Sequence, residues 1–112
     1  MPVEDELVDG IHKDIDKTVQ FDGNGNWSFS TSQYCPINID AVASIKNAPA
    51  DAIFDITINT NYPQKFEFHG LHVGDKKELT IKTNTFSKTK ITVNIHSSKP
   101  NISAELTLSC DI

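Results

Sequence analysis

Hydrophobic residues in this chain fall at every second position. In the stretch Asp51–Asn61, Phe54, Ile56 and Ile58 take one side while Asp55, Thr57 and Asn59 take the other. That is the period of a strand with one dry face and one wet face. Ile37, Ile39, Ala41, Ala43 and Ile45 repeat it, with Val42 as the exception on the wet side. So do Phe66 with Phe68, Leu79 with Ile81, Ile91 with Val93 and Ile95, and Ala104 with Leu106, Leu108 and Cys110. Between these runs lie turn formers: Asp22–Asn26, Asn47–Ala50, Asn61–Pro63, Gly70–Asp75, Asn84–Lys88 and Ser97–Asn101. About eight strands with turns every ~8–12 residues predict an all-β, antiparallel β-sandwich, Ig-like or jelly-roll-like, over residues 18–112. Clean alternation argues against parallel strands buried on both faces.

Two local expectations accompany this. Val19 with Phe21, and Trp27 with Phe29, flank the run Asp22-Gly23-Asn24-Gly25-Asn26, whose residues tolerate positive φ, so residues 18–30 read as a β-hairpin. Residues 1–17 break the strand period. Leu7, Ile11 and Ile15 recur every four residues, as on a short helix, but Gly10 interrupts them. The expectation is an acidic N-terminal arm, partly helical, attached to a single sandwich domain.

The 112 residues, 38% of them hydrophobic, can build a core without metals or several disulfides. No apolar run approaches the ~20 residues of a membrane-spanning helix. The N-terminus lacks the basic and apolar blocks of a signal peptide, which leaves a chain not exported by that route or a mature segment of an exported one. Net charge is −5, with six acids in residues 1–17 and six lysines in residues 76–99. All ten basic residues are Lys. Without Arg there is no bidentate reading of guanine or phosphate, so sequence-specific nucleic-acid binding is not expected, and the lysines read as decoration of wet faces and strand edges.

Candidate chemistry is sparse. Cys35 and Cys110 share the inward parity of their strands. They form either a disulfide closing most of the chain, which would place the protein in an oxidising extracellular or cell-surface compartment, or two separate buried thiols. Asp22, Asn24 and Asn26 set oxygen ligands at alternate positions, as a calcium loop begins. The EF-hand's Gly at the sixth position and Glu at the twelfth are absent, and the turn itself explains these residues. His69, His72 and His96 are the one metal-like grouping, without a carboxylate or Cys to complete a known spacing. Trp27, Tyr34 and Tyr62 lie near predicted turns, where aromatic rings bind partners or sugars. For Trp27 the parity with Phe29 favours a core role. The words Gly25-Asn26-Trp27-Ser28-Phe29-Ser30 are similar to a Gly-Asn-Trp-Ser segment of some bacterial extracellular Ig-like repeat domains, a six-residue likeness that agrees with a sandwich.

No nucleophile elbow, zinc-protease motif, P-loop or dinucleotide fingerprint occurs. The expectation is a non-enzymatic binding or structural module of a secreted, surface or virion protein, with a protein partner and no cofactor beyond the calcium option. A carbohydrate-binding module or lectin, calcium-assisted or not, comes second, and a membrane-associated or lipid-binding sandwich third.

Overall fold

The computed structural model describes residues 12–33, 38–83 and 87–111. Within them the chain forms eight strands: β1 (His12–Gln20), β2 (Asn26–Gln33), β3 (Ile39–Lys46), β4 (Phe54–Thr60), β5 (Gln64–Leu71), β6 (Lys76–Ile81), β7 (Thr89–Ser97) and β8 (Ser103–Asp111). They make two four-stranded antiparallel sheets, β1-β8-β3-β6 (sheet 1) and β2-β7-β4-β5 (sheet 2).

The pairs β1–β8, β2–β7, β3–β6 and β4–β5 nest one inside the next. The chain is thus one long antiparallel ribbon, with the β4–β5 turn at its tip, wrapped until it closes into two layers. This is the strand order of a jelly roll. An immunoglobulin domain would instead set its first two strands side by side in one sheet. The sandwich expected from the alternation is present, in its jelly-roll form.

The wrapped ribbon overturns the predicted hairpin at residues 18–30. β1 and β2 belong to different sheets, and residues 21–25 form an arch from one layer to the other. The chain bends there because Phe21 turns into the interior, where it is 1% exposed and stacks on Phe54 with ring centroids 5.7 Å apart. The arm is also corrected in part. Residues 12–17 are strand, paired residue by residue with β8 from His12↔Asp111 to Lys17↔Leu106. Ile15 obeys the strand period rather than the helical one: it packs against the core on the same face as the fully buried Val19. The sandwich therefore includes residues 12–17, and residues 1–11, with the rest of the expected arm, lie outside the described residues.

The core is one cluster between the layers. Sheet 1 supplies Val19, Ile39, Ala41, Ala43, Ile45, Leu79, Ile81, Ala104, Leu106 and Leu108; sheet 2 supplies Phe54, Ile56, Ile58, Leu71, Ile91, Val93 and Ile95. Phe21 and Phe54 are buried within this cluster, and Phe66 and Phe68 pack against it half-buried. Cys110 ends the inner face of β8 as a buried free thiol, so no Cys35–Cys110 bridge is formed, and Cys35 itself lies outside the described residues. Burial, followed by the nearby carboxylates of Asp14 and Asp111, pushes that thiol up to about 11.

Candidate binding surface

One end of the sandwich is tied together by three loops. In the β1–β2 arch, the Asp22 carboxylate accepts the backbone N–H groups of Asn24 and Asn26, both at 2.9 Å. These bonds, Asn26 first, hold the carboxyl below its usual range. The arch is joined to the β7–β8 loop: Asn101 N–H donates to the Asp22 carbonyl at 3.0 Å and Ser97 N–H to the Gly25 carbonyl at 2.7 Å. The β3–β4 loop joins through Ser98 N–H to the Ile53 carbonyl, 2.8 Å, and through the Lys99–Asp51 ion pair, 2.9 Å.

Against this end lies a trough of about 360 Å³ on the outer face of sheet 2, lined by Asp22, Asn26, Trp27, Ser28, Asp55, Thr57, Asn94, Ile95 and His96. The sheet register produces it. Asn26, His96 and Asp55 stand opposite one another across β2, β7 and β4, and the next outward row is Ser28, Asn94 and Thr57. Asn26 Oδ1 and His96 Nδ1 are 2.9 Å apart. Asp55 Oδ1 accepts the Gly70 N–H at 2.9 Å and lies 3.5 Å from His69 Nδ1. The trough has short hydroxyl and amide groups at its centre, carboxylate and imidazole at one end, and Trp27 and Ile95 contributing apolar surface beside them. Such a surface exchanges hydrogen bonds in both directions and carries little charge at its centre.

The predicted site residues separate. Asp22, Asn26 and Trp27 come together in the trough. Trp27 keeps its inward parity, half-buried beside Phe29 with ring centroids at 5.3 Å, as a core-edge residue. Asn24 stays exposed on the arch. Of the three oxygens suggested for calcium, Asp22 uses its Oδ1 on its own loop and Asn26 meets His96. Among the described residues, no group of three or more His, Cys, Asp or Glu has the arrangement to hold a metal ion. Tyr62, 40% exposed, sits in the β4–β5 turn, at the far end of sheet 2 from Asp22: Thr60 stands opposite Ile91, whereas Asn26 stands opposite His96. Tyr34 lies outside the described residues.

No protein-family model matches the chain, and no curated protein matches it in sequence. The surface must therefore be read from its own chemistry.

The opposite layer carries a different surface. The outer face of sheet 1 presents Asp14, Asp16, Asp40, Glu78, Glu105 and Asp111. Several of these acids meet a donor across the strands: Thr107 Oγ1 donates to Asp16 at 2.8 Å and Thr80 Oγ1 to Asp40 at 2.8 Å. His12 stands between two, with Nδ1 2.6 Å from Asp111 Oδ1 and Nε2 2.7 Å from Asp14 Oδ1. Both ring nitrogens must carry a proton to donate to both carboxylates, and the imidazole is accordingly held protonated above its ordinary range, chiefly by Asp111. Its signal in the sequence is the alternation His12-Lys13-Asp14-Ile15-Asp16, hidden when residues 1–17 are read as an arm.

Proposed function

We propose that this protein is a non-catalytic binding module that engages another protein through the outer face of sheet 2. One observation carries the reading: the trough is an open, sheet-borne surface in which the hydroxyl and amide groups of Ser28, Thr57, Asn26 and Asn94 adjoin the Asp22 and Asp55 carboxylates and the His96 imidazole, braced at one end by three hydrogen-bonded loops. An open sheet face that presents both donors and acceptors, braced by its loops, suits recognition of a large partner more than bond-breaking on a small one. Association with a secreted, surface or virion setting belongs to this proposal and rests on the sandwich architecture alone, which serves many functions.

The test compares proteins co-purified from the native source by the wild-type chain and by Asn94→Lys and Thr57→Arg variants whose unfolding curves match wild type. A partner retained by wild type and lost by both variants supports the reading; equal retention by all three overturns it.

A carbohydrate ligand is the second reading, favoured by Asp22, Asn26, Asn94 and His96 lining the trough beside Trp27. Glycan-array binding that disappears in Asn94→Lys supports it, with calcium as the added variable, and a flat array in both conditions removes it.

A further inference from the structure

We propose that the Tyr62 end of sheet 2 docks on an anionic membrane surface. The Tyr62 ring enters the headgroup layer, and the ammonium groups of Lys65, Lys82, Lys88 and Lys90 meet the lipid charges around it. Among the described residues Tyr62 is the one large apolar side chain that stands exposed, at 40%. A tyrosine ring suits the boundary between headgroups and hydrocarbon, because its body is apolar and its hydroxyl keeps a polar partner. All four lysines are exposed.

The fold fixes two of these lysines around the turn through their main chain. The Lys90 carbonyl accepts the Asn61 N–H at 3.1 Å, and the Lys90 N–H donates to Asn61 Oδ1 at 2.9 Å. Lys82 is tied to Gln64 in the same way: its N–H donates to Oε1 and its carbonyl accepts from Nε2, both at 2.8 Å. The residues flanking Tyr62-Pro63 therefore hold one lysine each, from β7 and from just past β6. Lys88 lies two residues before Lys90, and Lys65 follows Gln64.

The positive charge is little opposed on its own layer. Lys65 pairs with Glu67 at 3.1 Å, whereas Lys82, Lys88 and Lys90 form no ion pair among the described residues. The outward positions nearest the turn, Ser30, Ser32, Asn59 and Thr92, are neutral. Asp14, Asp40 and Asp111 occupy the outer face of sheet 1. Packed layers are ~10 Å apart, so these acids lie beyond the ~8 Å screening length of physiological salt. Lysine at every position, with no arginine, selects the occupant. An ammonium is a point charge without the fork that reads one phosphate or carboxylate, which suits a fluid layer of many headgroups. Basic side chains near the surface and an inserted aromatic ring each help to hold a protein on an anionic bilayer. The proposed partner trough gathers at the opposite end of the sheet, so the two surfaces are separately testable.

The experiment is co-sedimentation of the full chain with vesicles of phosphatidylcholine alone or with about 30% phosphatidylserine, at low and high salt. Wild type is expected to bind only the phosphatidylserine vesicles and to be released by salt. Lys82→Gln combined with Lys90→Gln, which spares the main-chain bonds to Gln64 and Asn61, should weaken binding about tenfold or more. Lys76→Gln combined with Lys77→Gln makes an equal charge change at the far end of β6 and should stay within about twofold of wild type. Tyr62→Ser should lose about threefold or more. Each variant is compared only where its unfolding curve matches wild type. No binding to phosphatidylserine vesicles, equal loss in the two lysine pairs, or full binding by folded Tyr62→Ser would each overturn the proposal. Retention on heparin without vesicle binding would overturn it too, and would assign the tip to an anionic glycan.

Discussion

The amide of Ser97 donates to the carbonyl of Gly25, and the carbonyl oxygen of Ser97 occupies the space that a Cβ on Gly25 would need. Gly25 also has φ +76°, in the left-handed region. Gly25→Ala therefore combines backbone strain with a collision against main chain, which cannot swing aside. A loss of about 2–4 kcal/mol in urea unfolding is expected. Gly23, in the same arch, has nothing nearer than 4.0 Å to its Cβ position, so Gly23→Ala should fall within about 1 kcal/mol of wild type.

Phe21 anchors the arch from inside. Removing its ring leaves a cavity against Phe54 at the point where the chain passes between layers. Phe21→Ala should cost roughly 3–5 kcal/mol, and Phe21→Leu distinctly less, measured by chemical unfolding with the slope unchanged.

His12 couples the edge of sheet 1 to pH. Its folded pKa lies above the ordinary histidine value of about 6.5, raised first by Asp111 and then by Asp14. A cation favoured in the folded state contributes stability in full below about pH 6.5, and the contribution fades as pH rises through the folded value. Proton NMR titration should place the His12 midpoint above 6.5 in wild type and lower in Asp111→Asn, with the pH dependence of stability flattened to match.

Cys110 should be unreactive in the folded protein. With its thiol pushed up to about 11 and its side chain within the core, little thiolate is available at pH 8. Iodoacetamide followed by peptide mass spectrometry should leave Cys110 unmodified in native protein and alkylate it in urea. Rapid native modification would show the end of β8 opening.

The strands were legible because one sandwich face is dry, so Ile56, Val93 and Leu106 announce both element and orientation. Their pairing was not. Asp22–Asn26 contains residues that suit a hairpin and an arch equally, and Phe21 has the same parity in both. Only the competition for partners across the whole chain sends Trp27 to Ile95 rather than back to β1. The trough was half legible for the same reason. Asp22, Asn26 and Trp27 stand together in sequence near a turn, whereas Asp55, Thr57, Asn94 and His96 form no motif and converge because β7 lies between β2 and β4. The helical period of Leu7, Ile11 and Ile15 misled at residues 12–17, where the ladder to β8 decided the conformation.

The nested order also sets a timetable for synthesis. β7 lies between β2 and β4, and β8 between β1 and β3, so each layer receives an interior strand from the final quarter of the chain. Until those residues leave the ribosome, β1 through β6 can form only the β3–β6 and β4–β5 ladders, while β1 and β2 wait without partners. Folding must then wait for β7 and β8 and be slow for the domain's size, since nearly all its pairings close long loops. During that interval the uncharged β2 is the segment most open to joining the wrong chain.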